Sequence, residues 1–291
     1  MAVTYIDKVI KLGSAMTPYI HSVFAPLGAY ATNISADLGE EGTTLKVKLI
    51  GANTAPEFSH DTGYANTGSL STKPVELASR IYAANEFTDT EWEQLTDTDF
   101  INLARTHLHV LFKKVSDTIV NKIKTDVTNE LVAGAASDLS YAKYCAMVAD
   151  ASALTMPIDE MDRNVVLASG AYAKVASDPV IAASTTSLAE SAMKTGVINE
   201  IAGTKLFKTG AVDTAFYGFM ATRTSIALVA RATPIDDVEN AQIVTGEELG
   251  LPVVIKVIPD PKHSKKIIVS EFLFGAAVVD PSNIAKIVAT A

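Results

Sequence analysis

Three groups of residues in this sequence have types and spacings that could support chemistry, and the first would be a serine-lysine acyl enzyme. Ser191 and Lys194 have the S-x-x-K spacing, and a K-T-G sequence follows at 208–210. Such enzymes also need an S-D-N sequence on a separate segment, which this chain lacks. Ser140 and Lys143 have the same spacing, so the pattern arises easily by chance. The sequence therefore predicts no catalytic residues.

The second group is a pair of glycines, Gly196 and Gly203, which could suggest a phosphate-binding loop. That motif places four residues between its glycines and a lysine directly after the second, because backbone N–H groups must surround the phosphates. Here six residues intervene, and Thr204 separates Gly203 from Lys205. We therefore expect no nucleotide and no other cofactor.

The third group comprises the histidines and a cluster of acidic residues, which could hold a metal ion. His107 and His109 lie two positions apart on a predicted helix, so they point to different faces and are expected in exposed or capping roles. The acidic cluster at 236–239 lacks the alternating spacing and the glycine of a calcium loop, which favours a solvated turn. We expect no metal site.

Composition limits the remaining classes of function. The chain has 291 residues, a net charge of −9 and 48% hydrophobic residues, which predicts one large globular domain or two modest ones. An acidic chain is not expected to hold nucleic acid tightly, because that task needs clustered lysine and arginine. The chain contains no run of roughly 18 apolar residues and no recognisable secretory signal. We expect a soluble protein made in a reducing compartment.

The first third of the chain predicts few compact elements. Residues 1–40 have weak periodicity and scattered glycine and proline, which indicates an extended arm with one short helix. Alternating sequences predict strands at 43–50 and 75–83, and the polar span 51–74 between them is long for a loop in a compact domain. We therefore expect an extended β-hairpin that reaches out to a neighbour.

A long amphipathic helix is the strongest local prediction. Apolar residues recur every three or four positions from Phe100 to Leu131, which predicts a helix over 99–132 with Thr98 or Asp99 as its cap and Gly134 after its end. Shorter helices and strands should follow, and Val253–Ile258 with Ile267–Phe274 should form a hairpin. Arms and extended hairpins bury little of their own surface, so this layout favours an oligomer.

This order of elements resembles the major capsid proteins of tailed bacteriophages, which share the Hong Kong 97-like fold with encapsulins. Residues 73–124 resemble the passage from the second strand of the extended loop, through the acidic turn TDTE, into the spine helix. MDRNVVLASGAYAKVASDP (161–179) resembles an axial-domain strand and helix, and TGVINEIAGTKLFKTGAV (195–212) a glycine-bounded strand. GLPVVIKVIPDPKHSKKIIVSEFLFGAAVVDP (250–281) resembles the closing strands of the peripheral domain.

The resemblance implies an α+β fold with four parts: an N-terminal arm (1–40), an extended β-hairpin loop (41–84), a peripheral domain (85–138 and 243–291) with spine helix 99–132, and an axial domain (139–242). Gly196 and Gly203 would be turn residues around a packed strand, with Ile198 and Ile201 partly buried. The arm and the loop would lie on neighbouring copies. The expected inter-subunit contacts are Pro56, Phe58, Tyr64, Tyr19 and Phe24.

The same resemblance implies a structural function. Pentamers and hexamers would form an icosahedral virion shell, made in the host cytoplasm, that encloses double-stranded DNA without sequence-specific or membrane binding. Because the sequence has an arm of only about 40 residues before the loop, we expect a separate scaffolding protein beside a portal and, in some cases, a decoration protein. An encapsulin-type compartment is the alternative, followed by the acyl enzyme.

Overall fold

The computed structural model describes residues 5–37, 42–50, 70–132, 139–153, 163–182, 200–209, 216–235, 241–245 and 249–288. Six α-helices lie in these ranges: α1 Tyr5–Phe24, α2 Asp89–Gln94, α3 Asp97–Asp126, α4 Tyr141–Ala153, α5 Ser169–Ala176 and α6 Pro179–Ala182. The strands are β1 Ala31–Asn33, β2 Thr44–Ile50, β3 Leu70–Glu76, β4 Ser79–Thr88, β5 Glu130–Val132, β6 Arg163–Ala168, β7 Glu200–Ile201, β8 Thr204–Thr209, β9 Phe216–Thr222, β10 Ile226–Arg231, β11 Ala241–Thr245, β12 Pro252–Asp260, β13 Lys265–Val278 and β14 Ile284–Val288. None of the described helices is both long and apolar enough to cross a membrane.

Helix α3 is the predicted long helix, with different ends. Its cap is Thr96, whose hydroxyl accepts a hydrogen bond from the Asp99 N–H while the Asp99 carboxylate accepts from the Thr96 N–H at 2.8 Å. The prediction of a cap at residue 98 or 99 and of an end at 132 was therefore wrong. The helix ends at Asp126 because the residues after it must be extended. Asn129 forms hydrogen bonds with β14, and the strand β5 that follows Asn129 pairs with β14.

The acidic sequence before α3 contains a second capped helix. Thr88 and Glu91 form the same reciprocal pair of hydrogen bonds around the start of α2, so TDTE and TDTD begin two consecutive helices. Trp92 of α2 is buried, and this packing fixes the short helix against the body of the protein.

Helix α1 replaces the expected extended arm. Its buried residues recur every three or four positions, and they pack into the same core as α3: Val9, Leu12, Met16, Ile20 and Phe24. The prediction of one short helix was wrong because it gave weight to Gly13 and Pro18. Gly13 instead lets the side chain of Gln242 approach the helix closely. Burial of the apolar face of α1 outweighs the poor helix propensity of Gly13 and Pro18.

The first sheet is built around the long strand β13. β13 pairs antiparallel with β4, β10 and β12, while β1 pairs with β10 and β11 with β12. The predicted hairpin of β12 and β13 is present, with its turn at residues 261–264. One face of this sheet packs on α3 in the main hydrophobic core. We call the opposite face the outer face.

Strands β2 and β3 form the extended hairpin, and its second strand lies earlier in the sequence than predicted. Thr44 lies opposite Glu76 and Ile50 opposite Leu70, so the second strand is 70–76. The predicted strand 75–83 spans two elements, because the backbone leaves the hairpin at Leu77 and enters the first sheet with β4. The polar residues around Pro74 had suggested a loop. Both strands of a two-stranded hairpin are edge strands, however, and an edge strand tolerates proline.

The second sheet has the order β5-β14-β9-β6-β8-β7 and its own hydrophobic cluster with α4 and α5. The strand and helix that the resemblance implies within 161–179 are confirmed as β6 and α5. The described chain passes between the two sheets three times, since β4 leads through α2 and α3 into β5, β9 leads into β10 and β13 leads into β14. The pairing places β10 in the first sheet and both β5 and β14 in the second.

Candidate assembly surface

The residues that suggested an acyl enzyme have a structural explanation where the structure describes them. The Ser140 hydroxyl accepts a hydrogen bond from the backbone N–H of Lys143 at 3.3 Å, so this S-x-x-K spacing is a contact at the start of α4. Ser191 and Lys194 lie outside the described residues. Across the ranges that are described, no group of three or more metal-ligating side chains could hold an ion.

The glycine-bounded stretch contains a tight turn. Ala202 and Gly203 have positive φ values of 51° and 76° between β7 and β8, and Ile201 is buried beside them. Gly203 is therefore a turn residue, as expected, because a left-handed conformation costs glycine little. Gly196 and Ile198 lie outside the described residues.

His107 is a buried structural residue, and the expectation of an exposed or capping role was wrong. Its Nδ1 lies 2.7 Å from the Ser270 hydroxyl on β13, and its Nε2 lies 2.9 Å from the amide oxygen of Asn85 on β4. Asn85 Oδ1 can only accept, so Nε2 donates to it and Nδ1 accepts from Ser270. Burial lowers the pKa of His107 to about 4, which keeps the ring neutral. His109 is exposed, on a different face as predicted.

Two of the five expected inter-subunit contacts fall in the described part of the chain. The Tyr19 hydroxyl accepts a hydrogen bond from Arg105 at 2.7 Å, and the Arg105 guanidinium lies 4.5 Å from the ring. Phe24 is only 3% exposed and packs edge-on against Phe112. The ring of Phe24 is buried in the core between α1 and α3. In this conformation it therefore offers no surface to a neighbouring copy. Pro56, Phe58 and Tyr64 lie outside the described residues.

Several large apolar side chains are exposed and are candidates for contact with a partner, although single exposed apolar residues are common on folded proteins. Tyr82 on β4 is 63% exposed and Val180 on α6 is 61% exposed. The others are less exposed and are distributed over α1, α3, β11 and β12: Ile10, Ile101, Val110, Ile243 and Ile258. Tyr82 is the largest of these side chains, so it has the most apolar area to offer a partner.

Tyr82 lies on the outer face beside a cluster of charged residues. It is directly opposite Glu271 of β13, whose carboxylate accepts two hydrogen bonds from Arg80, at 2.6 and 2.8 Å, and lies 2.7 Å from Lys256. Burial alone would raise the pKa of Glu271, but the hydrogen bonds from Arg80, Lys256 and Thr233 bring it below its ordinary value. Aromatic residues and arginine are enriched at interface centres, whereas glutamate and lysine are depleted there, so Tyr82 and Arg80 are the residues of this face that fit a contact surface. Sequence analysis missed Tyr82, although strand alternation with buried Ile81 would have indicated its exposure.

Comparison by sequence identifies no relatives: no protein-family model and no curated protein matches the chain. Comparison by structure identifies capsids. A structure from Mycobacterium phage Che8 matches with a TM-score of 0.61 at 13% identity, covering 91% of this chain and 90% of that one. The capsid of Ralstonia phage GP4 matches with a TM-score of 0.61 at 10% identity, covering 90% and 87%.

A virus-like particle from Pyrococcus furiosus also matches, with a TM-score of 0.58 at 12% identity, covering 95% of this chain and 98% of that one. These matches extend over nearly the whole length of each chain. The fold that they identify is the one that the resemblance of the sequence implies. The chain therefore has the Hong Kong 97-like fold of the major capsid proteins of tailed bacteriophages.

Proposed function

We propose that this chain is the major capsid protein of a tailed bacteriophage and assembles as pentamers and hexamers into an icosahedral shell around double-stranded DNA. The observation that supports this most strongly is the agreement of fold with phage capsids over about nine-tenths of both chains. A structural function fits better than an enzymatic one, because the one described S-x-x-K serine is used at a helix start.

The division of the protomer is also a proposal. We assign the first sheet with α1 and α3 to the peripheral domain, and the second sheet with α4 and α5 to the axial domain. The hairpin of β2 and β3 would extend to a neighbouring copy, where Pro56, Phe58 and Tyr64 would make contacts. Tyr19 would contribute only through the part of its ring that Arg105 leaves uncovered.

The proposed partners follow from this function. Assembly in the host cytoplasm would involve a separate scaffolding protein and a portal, and a decoration protein could bind the finished virion. The shell would enclose DNA without recognising its sequence, which suits a chain with a net charge of −9.

The test is the content of assembled particles. Shells purified from cells that express the whole gene neighbourhood are expected to contain DNA that resists nuclease until the shell is opened. Particles that never protect DNA, in the presence of the neighbouring portal and packaging genes, would contradict the phage capsid assignment.

The virus-like particle from Pyrococcus furiosus supports a second candidate, an encapsulin-type compartment. Such a shell would enclose a protein and would assemble without a portal. Mass spectrometry of purified particles distinguishes the two: a single co-purified enzyme encoded beside this gene would favour the compartment, and protected genome-length DNA would favour the phage.

A further inference from the structure

The base of the β2–β3 hairpin is packed against the outer face of its own protomer. Val75 of β3 is fully buried there, in a small cluster with Ala227 and Val229 of β10 and with Val279. Val229 lies opposite Gly275 of β13, and Ala227 lies opposite Ala277. The small residues of two adjacent strands therefore receive the hairpin. We call the surface of Ala227, Val229, Gly275 and Ala277 the hairpin seat.

Gly275 permits the closest approach in this contact. A methyl group placed on Gly275 would overlap the carbonyl oxygen of Glu76, the last residue of β3. Its φ lies outside the left-handed region, so the need for glycine here is one of space and not of backbone conformation. The backbone of the hairpin thus crosses β13 at the one position of that strand without a side chain.

Polar bonds fix the chain on both sides of this crossing. Before it, the Lys73 ammonium donates to the carbonyl of Val278 at 3.2 Å. At the crossing, the N–H of Leu77 donates to the carbonyl of Thr43, which closes the base of the hairpin. After it, Arg80 forms its paired hydrogen bonds with Glu271, on the same face as Gly275.

We propose that the hairpin seat, together with the Arg80–Glu271 pair, sets the direction in which the hairpin leaves the protomer, and that this direction determines whether it reaches a second copy of this chain. The claim that the direction of the hairpin determines contact with a second copy rests on the proposed shell function. The claim that the seat sets this direction concerns the unassembled protomer alone. Gly275 and Val75 are positioning residues in this account, since they act through the hairpin and not by contacting the neighbouring copy.

The direct test measures the direction of the hairpin in unassembled protomers. Spin labels at Lys46→Cys on β2 and Lys262→Cys in the β12–β13 turn, in a Cys145→Ser background, report the distance from the hairpin to the body. Both lysines are exposed, so the labels should not disturb packing. A narrow distance distribution is expected, and Gly275→Ala should shift its centre by several ångströms because the added methyl group displaces Glu76.

Gly170→Ala is the matched control, since a methyl group at Gly170 on α5 meets nothing within 4 Å. It should leave the distribution unchanged. If Gly275→Ala fails to fold, as judged by circular dichroism, Val75→Ala provides the test instead. It removes contacts with the seat without adding bulk, and it should broaden the distribution. A wild-type distribution in folded Gly275→Ala, or in Val75→Ala where that variant is needed, would overturn the proposal.

Assembly separates this inference from the proposed function. If the wild-type protein forms shells, Gly275→Ala should form none, or shells of altered diameter, while Gly170→Ala should assemble normally. Shells of unchanged diameter from Gly275→Ala would overturn the link between hairpin direction and assembly. If the wild-type protein forms no shells with its scaffolding protein supplied, although the distances behave as expected, the proposed function fails and the positioning role of the seat stands.

Discussion

His107 shows what can be learned about a single residue from its neighbours in the sequence. It lies among Ala104, Leu108 and Leu111, which are all buried, so the helical period alone indicated an inward position. Its role was not predictable, because Asn85 and Ser270 are 22 and 163 residues away. A histidine with both nitrogens bonded in a core is a structural residue, and its effect should be visible in stability.

The first prediction is that His107 makes the protomer sensitive to acid. Its pKa falls from about 6.5 in the unfolded chain to about 4 in the folded one, so the unfolded state binds more protons between these values. The stability that its neutral form contributes is present above pH 6.5 and is lost as the pH falls to 4, by about 3 kcal/mol. Urea unfolding of the unassembled protomer across this range measures the loss.

His107→Gln should be less stable than wild type at pH 7, and the difference should shrink as the pH falls. His109→Gln, two positions along the same helix and exposed, is the control and should follow the wild-type curve. A constant difference between His107→Gln and wild type from pH 7 to pH 4 would contradict this explanation.

The elements were predicted well where a local pattern determined them. Helix α3, the β12–β13 hairpin and the strand at Arg163–Ala168 follow from apolar periodicity and turn residues that lie within each element. The errors occurred where distant pairing decides the outcome. The period of α3 continues past Asp126 in the sequence, yet pairing with β14 makes residues 130–132 a strand. Burial of its apolar face against α3 makes α1 a helix despite Gly13 and Pro18.

The second prediction concerns the start of α3. Thr96→Ala should destabilise the protomer by about 1 kcal/mol, because it removes the hydroxyl that accepts from the Asp99 N–H. Thr98→Ala changes the same residue type two positions later, where it is exposed and inside the helix, and should change stability by no more than about 0.5 kcal/mol. Chemical denaturation of both variants measures the difference, and equal effects would show that the capping box does not stabilise the helix start.

At the scale of the whole molecule, the sequence predicted the fold through the order of its elements, while the surfaces remained undetermined. The expected contact residues were chosen from a loop and an arm, and Phe24 proved to be part of the core. The neighbours of Tyr82 on the outer face depend on the position of β4 along β13, which places Tyr82 opposite Glu271. Pairing over nearly 200 sequence positions is not encoded in any short pattern.

The third prediction is that Tyr82 contacts a neighbouring copy. Tyr82→Asp should raise the protein concentration needed for assembly by about tenfold or more, because it removes a large aromatic side chain and places a charge beside Glu271. Protomer stability should fall by about 1 kcal/mol, since the ring is 63% exposed but the new carboxylate lies opposite that of Glu271. Light scattering during assembly measures the effect. Tyr82→Phe retains the ring and should assemble as wild type does. Normal assembly of Tyr82→Asp would show that this face is not part of the interface.

The central claim is that copies of this chain build a closed shell, and electron microscopy of negatively stained protein tests it most directly. The expressed protein should be imaged alone and with the products of its neighbouring genes, and its mass should be measured by light scattering. We expect closed shells, tubes or capsomer-sized rings of many copies. A protein that stays monomeric at 30.8 kDa at high concentration, with a scaffolding protein supplied, would contradict it.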